Sequence, residues 1–151
     1  MITVKELMSR ELYTLKPTDT LHQARDLMLK KQIRHIPIVD KEGKFVGLLT
    51  KRDVLAAGVS ALADINTQER DELESSIPIS EIMITDVLLA EEDTLLLEAA
   101  RSMLKQKHGC LPVFRGHQLL GILTEADFVK LALYLMEKMP EAEKTQNINN
   151  G

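Results

Sequence analysis

Gly47-Leu-Leu-Thr50-Lys-Arg-Asp53 returns 74 residues later as Gly121-Ile-Leu-Thr124-Glu-Ala-Asp127. The likeness spreads outward from that motif. His35-Ile-Pro37-Ile-Val matches Cys110-Leu-Pro112-Val-Phe, and Ala24-Arg-Asp-Leu-Met28 matches Ala99-Ala-Arg-Ser-Met103. Further upstream, Val4-Lys-Glu-Leu-Met8 matches Ile79-Ser-Glu-Ile-Met83. The offset shifts between 74 and 75, with one residue added before the second copy's helix at Thr94 and one removed from its turn at Arg115–His117. Insertions and deletions of that kind belong at element ends. The chain therefore reads as two copies of one structural unit of about 50 residues.

Each copy has the same order of elements. A short extended segment comes first, Leu12–Leu15 and then Val87–Ala90. A helix follows, opened in the first copy by Thr20-x-x-Gln23, a capping-box pattern. Leu21, Ala24, Leu27 and Met28 recur there at helical spacing, as do Leu96, Ala99, Ala100, Met103 and Leu104 in the second copy. Strands Ile36–Val39 and Phe45–Leu49 flank the turn Asp40-Lys-Glu-Gly43, and Pro112–Phe114 and Leu119–Leu123 flank a tighter turn at Arg115–Gln118. A second helix begins at Thr50 or Thr124. The order β-α-β-β-α is a small two-layer α/β unit, α+β in some schemes. The boundaries this predicts are 2–58 for the first repeat, 59–76 for an acidic, solvated helical linker, 77–138 for the second repeat and 139–151 for a disordered polar tail.

The totals narrow the function. With 151 residues the chain can bury a real core, and at 44% apolar and 28% charged it has the composition of a globular protein. Three Phe, two Tyr and no Trp make that core aliphatic. A net charge of −4 argues against nucleic-acid binding. No apolar run approaches a membrane span, and the N-terminus has no signal-peptide core. Cys110 is the lone cysteine and cannot form an internal disulfide. The expected location is the cytoplasm.

Thr-x-x-Asp admits two readings. It is a capping box, so Thr50 with Asp53 and Thr124 with Asp127 could serve only the starts of their helices. The same geometry suits a ligand: a helix N-terminus offers free N–H groups to a phosphate, and a carboxylate can accept from both hydroxyls of a ribose. Recurrence of the motif after a Gly-led strand favours ligand contact. Other chemistries lack their parts. His108-x-Cys110 has no further metal ligands at useful spacing, there is no phosphate-binding glycine loop or nucleophile elbow, and no acid/base pair marks an enzyme. Along the last helix, Phe128, Leu131, Ala132, Leu135, Met136 and Met139 form a stripe expected to face the core. Leu133 and Tyr134 fall off it and suggest a homodimer surface.

Taken together, these residues resemble the cystathionine-β-synthase (CBS) domain family, whose pattern runs through hydrophobic-Met, Thr-Leu-x-x-Ala…Met, hydrophobic-Pro-Val-Val-Asp and Gly-hydrophobic-hydrophobic-Thr-x-x-Asp. The first copy follows the pattern nearly throughout. The second departs from it at Phe114-Arg115, which replaces the usual Val-Asp. The resemblance implies two repeats packed about a pseudo-two-fold axis, with two clefts that hold adenine nucleotides or related adenosyl ligands. It implies that Thr50 and Asp53, or Thr124 and Asp127, contact phosphate and ribose. It also places Arg52, with Arg34, His35 and Ile36 ahead of Pro37, beside phosphate, while Lys51 inside the motif, taken alone, reads as an ordinary surface charge. The counterparts in the second copy are Glu125, Ala126, Gly109 and Cys110, so the first cleft looks suited to an anion and the second impaired. By the same carry-over the first site's base rests on Thr85, Val87, His108 and Gly109, and the second borrows Tyr13, Ile33 and Arg34. The function implied is a regulatory module that senses AMP, ADP or ATP and signals to a partner protein, itself a homodimer and without a cofactor. The alternatives are a dimerisation scaffold with vestigial clefts, or a sensor of a dinucleotide or S-adenosylmethionine.

Overall fold

The computed structural model describes residues 1–59 and 65–140. The chain runs α1 (Val4–Leu7), α2 (Leu21–Lys31), β1 (His35–Val39), β2 (Phe45–Thr50), α3 (Lys51–Val59), α4 (Thr67–Ser75), a 3-10 turn (Ile79–Glu81), β3 (Ala90–Glu91), α5 (Leu96–Gln106), β4 (Cys110–Arg115), β5 (Gln118–Thr124) and α6 (Glu125–Lys138). This is the mixed α+β order expected for each copy. The first extended segments are shorter than their sequence suggests. In the first repeat the segment makes one parallel bridge, Leu15 to Ile38. In the second it is β3, parallel to β4 at Ala90 and Glu91, so Val87 precedes the strand. The tail from 141 onward and linker residues 60–64 lie outside the described residues.

Local chemistry fixes the turns. In the first hairpin (β1–β2) the Asp40 carboxylate accepts the N–H groups of Glu42 and Lys44 at 3.0 and 2.9 Å. Gly43 takes a left-handed φ of 81° there, at little steric cost without a Cβ. The Thr20–Gln23 capping box forms as predicted at the head of α2, with Thr20 N donating to Gln23 Oε1 at 2.8 Å. In the second copy the position equivalent to Thr20, 75 residues on, is Leu95 and not Thr94. Leu95 caps α5 without a side-chain bond, and Thr94 Oγ1 instead accepts from Glu91 N at 3.2 Å.

The unit repeated in sequence is not the unit that packs. The opening segment of each repeat crosses to the other. Val4 and Met8 are buried with Leu96, Ala99, Met103, Leu111, Val113 and Leu123 of the second repeat. Ile79 is buried with Leu21, Ala24, Ile36, Ile38 and Leu49 of the first, and Ile82 and Met83 pack against that cluster. The crossing is sealed by reciprocal backbone pairs. Ser9 and Ile122 exchange N–H···O bonds at 2.9 and 3.0 Å, and Ile84 and Leu48 exchange two at 2.8 Å. This pairing relates the repeats by a pseudo-two-fold axis. Leu48, Cys110 and Ile122 form a third buried cluster spanning both repeats.

Two expectations need correcting. The stripe on α6 is only partly core: Phe128 and Leu131 pack against the second repeat's cluster. Leu135 and Met136, by contrast, are 54% and 49% exposed. α1 and β5 pack on α6, and no described element buries Leu135 or Met136. The acidic linker is not uniformly solvated either. α4 packs on α2, and Glu74 is 0% exposed.

Candidate functional site

The glycine that opens each motif answers to the crossing. A Cβ on Gly47 would sit 2.9 Å from the Ile84 carbonyl oxygen and 2.9 Å from Met83 Sδ. On Gly121 it would sit 2.6 Å from the Ser9 carbonyl oxygen and 2.8 Å from Met8 Sδ. Both separations are below contact distance, so the backbones approach this closely only over glycine. Three residues on, each strand delivers a Thr to the head of a helix.

Both capping boxes are closed. Asp53 Oδ2 accepts from Thr50 N at 3.0 Å and from Thr50 Oγ1 at 2.7 Å, and Asp53 N donates to Thr50 Oγ1 at 3.2 Å. Asp127 Oδ2 accepts from Thr124 N at 2.8 Å and from Thr124 Oγ1 at 3.2 Å. The structural reading of Thr-x-x-Asp is therefore realised in both copies. Asp53 remains half-buried while Asp127 is 7% exposed. Each box uses Oδ2, and Asp53 Oδ1 takes no hydrogen bond from a described residue.

Around Asp53 the cations are unspent. Lys51 N donates to the Arg34 carbonyl oxygen at 2.8 Å, which ties the approach to β1 to the head of α3. The side chains of Arg34, Lys51 and Arg52 are exposed. They form no ion pair among the described residues, whose salt bridges involve other groups. In the second copy the equivalent tie is Glu125 N to the Gly109 carbonyl oxygen at 3.2 Å.

The two motifs meet at His35. A Cβ on Gly109 would lie 3.6 Å from His35 Nε2 and 3.7 Å from the Glu125 carboxyl carbon. The His35 pKa is lowered from its ordinary value, first by burial and then by the Arg34 charge, against the opposing pull of Glu125 and Asp53. In sequence Glu125 marks only the second cleft, as the counterpart of Lys51; in the structure its carboxylate lies at the first motif, beside His35.

Some expected site residues present no side chain to a cleft. Ile36 is fully buried in the first repeat's core because β1 directs it inward. Cys110 is 4% exposed between the repeats, and burial with the Asp127 charge nearby pushes its thiol far above the usual range. Ile33 packs against the first core. Val87 packs against the cross-repeat cluster. Tyr13 bonds to Glu11 through its hydroxyl, and the Lys31 ammonium lies 5.1 Å from its ring centre. Thr85 is exposed, and His108 and Gly109 are half-buried. Two cavities, of about 130 and 260 Å³, border β3. The first is lined by Leu88, Thr94, Glu98 and Ser102 among others, and the second by Phe45, Glu91, Phe114 and His117 among others; no motif residue lines either.

The sequence pattern of the CBS domain matches residues 4–60 and 79–134, and the chain belongs to the CBS domain family. It is 31% identical over 140 residues to a CBS domain-containing protein of Dictyostelium discoideum, covering 92% of this chain and 97% of that one. Among solved structures it resembles a Vibrio cholerae protein described as an acetoin utilization protein (AcuB), at 42% identity and TM-score 0.75, over 91% of this chain and 94% of that one. CBSX2 in complex with AMP is 27% identical, with TM-score 0.74, over 89% and 98% of the two chains. The CBS domain pair of MJ0100, in complex with 5′-methylthioadenosine and S-adenosyl-L-methionine, is 28% identical, with TM-score 0.71, over 87% and 95%. Both of these last two structures hold adenosyl ligands. No described helix here is long and apolar enough to cross a membrane.

Proposed function

We propose that this chain is a regulatory module that binds an adenine nucleotide in the cleft headed by Thr50 and Asp53 and reports occupancy to a partner protein. The observation that carries the reading is Asp53, half-buried with Oδ1 open to the described residues, beside three exposed cations that form no ion pair among them. Guanidinium groups suit phosphate through paired charge-assisted hydrogen bonds, and the head of α3 adds backbone N–H donors. A ligand that binds one relative arrangement of the repeats better than another shifts their packing, which a partner can read as a change in affinity. The relatives that hold AMP or adenosyl-sulfonium ligands support the ligand class. Calorimetry with AMP, ADP, ATP and S-adenosylmethionine, on wild type and Asp53→Ala, tests it. Binding of an adenine nucleotide that Asp53→Ala abolishes is expected. Equal binding by both proteins would misplace the site, and no binding to any of the four would remove the sensing reading.

The closed capping boxes support a second reading, in which the motifs only start helices and the module is a dimerisation scaffold. Both readings include a homodimer. Val129, Leu133 and Met136 leave an apolar face on α6 exposed, with Tyr134 and Leu135 exposed on either side of it, and a second copy of the chain is its proposed cover. Light scattering that finds a monomer at tens of micromolar would count against the dimer.

A further inference from the structure

The buried linker glutamate stands in unusual company. Glu74 reaches back from α4 to α2, where the Arg25 guanidinium lies against its Oε1. Its Oε2 is buried and has no hydrogen-bond partner among the described residues. His22 Nδ1 lies 4.0 Å from Oε2 and is itself buried, with no hydrogen-bond partner among the described residues. Asp71 Oδ1 lies 3.7 Å from the same nitrogen. The other ring nitrogen, Nε2, faces Asp26 Oδ2 at 3.4 Å.

With a proton on Nε2 directed at Asp26, the Nδ1 lone pair points at two carboxylates. That arrangement is repulsive unless a cation stands between them. Three carboxylates, Asp26, Asp71 and Glu74, face two guanidiniums, Arg25 and Arg70, so around a neutral imidazole the carboxylates outnumber the cations by one. Nδ1, one Asp71 oxygen and one Glu74 oxygen all lie within 4.8 Å of one another. Ligands of a zinc-sized ion sit about 2.0–2.2 Å from it, so neighbouring ligands are roughly 3.3 Å apart. Asp71 is half-exposed, its Oδ1 3.8 Å from Arg70 Nε, so closing the site takes a rotation of its carboxylate toward Nδ1. Asp26 behind the imidazole is the carboxylate–histidine arrangement that orients a ligand ring and raises its basicity, and Arg25 fixes the Glu74 carboxylate from the far side.

We propose that His22, Asp71 and Glu74 form a site for a divalent transition-metal ion of the zinc class, with water completing its shell. An imidazole donor favours such an ion over magnesium or calcium. The site would staple α4 to α2 just before the chain enters the second repeat, where Leu21 N bonds the Ile77 carbonyl oxygen at 2.9 Å. It is separate from the proposed nucleotide cleft and does not depend on it.

The test uses the full chain, stripped with a chelator and titrated with zinc chloride and cobalt chloride. One equivalent of Zn²⁺ should bind and raise the melting temperature. Cobalt should show visible bands without the near-ultraviolet absorption of a thiolate ligand. His22→Gln and Asp71→Asn change half-exposed positions, so folding should survive, and each should weaken binding about tenfold or more. Cys110→Ser and His108→Ala should bind as wild type does. Failure of both metals to bind saturably at millimolar concentration would overturn the proposal. Binding unchanged by His22→Gln but lost in Cys110→Ser would overturn it equally.

Discussion

The heads of α3 and α6 are built alike and charged unlike. Each follows a Gly-led strand, each closes a Thr–Asp capping box, and each is tied by a backbone bond to the residue just before its proline-containing strand, Lys51 N to Arg34 O and Glu125 N to Gly109 O. Around that shared frame, Arg34, His35, Lys51 and Arg52 stand in the first copy where Gly109, Cys110, Glu125 and Ala126 stand in the second. The backbone role constrains Gly, Thr and Asp, because cap and crossing both fail without them. The intervening positions carry no backbone duty, so their chemistry is free to differ. Features shared by the motifs therefore speak to folding, and their differences speak to what each cleft can hold.

The largest expected effect tests the shared part. A methyl on Gly121 would meet a backbone carbonyl at 2.6 Å, and one on Gly47 would meet its counterpart at 2.9 Å. Main-chain atoms locked in reciprocal hydrogen bonds cannot step aside cheaply. Gly121→Ala should cost about 3 kcal/mol and Gly47→Ala somewhat less, roughly 2 kcal/mol. Urea denaturation monitored by circular dichroism measures both. Equal costs near zero would show that the crossing segments are loosely held.

The fold was legible because its signals were local and came twice. Thr20–Gln23, the Asp40–Gly43 turn and the two Thr-x-x-Asp motifs each name a backbone geometry that a sequence pattern can carry. The exchange of Val4–Met8 and Ile79–Met83 between repeats was not legible, since a repeat in sequence does not say which copy buries its first segment. Glu74 was read as solvent-facing for a related reason: its partners His22 and Arg25 lie some fifty residues away, and only tertiary packing joins them. Ile36 and Cys110 were placed beside a ligand through resemblance, whereas strand alternation and the cross-repeat cluster turn their side chains into cores. The apolar positions on α6 fit a core stripe by period alone, and periodicity cannot tell burial in the core from an uncovered face.

The charge difference between the motifs supports the next prediction. A charge-assisted contact to phosphate contributes roughly 1.5–3 kcal/mol net, so Arg52→Ala should weaken nucleotide binding about tenfold or more. Asp127→Ala removes a carboxylate that is already buried and bonded. It should cost stability, about 1 kcal/mol through the lost cap, with little change in affinity. Parallel calorimetric and melting measurements on the two variants separate these effects. The opposite ranking in affinity would assign the ligand to the second cleft.

The smallest effect concerns His35, which has Cys110 in its place in the second copy. Burial and Arg34 lower its pKa from 6.5 in the folded chain. Between that lowered value and 6.5 the unfolded chain binds the proton more readily than the folded one. Stability from this group is therefore fully present above 6.5 and is lost as pH falls through the window, with a slope of at most about 1.4 kcal/mol per pH unit. Cys110, its thiol pushed upward, contributes nothing in that range. His35→Gln should accordingly lose less melting temperature than wild type when pH drops from about 7.5 to 5.5. A bound phosphate would favour protonated His35 and oppose the shift, so a saturating nucleotide should shrink the difference between the two proteins. Identical pH slopes for His35→Gln and wild type without ligand would mean that His35 is solvated, and that the meeting point of the two motifs is wetter than its packing against Gly109 and Glu125 implies.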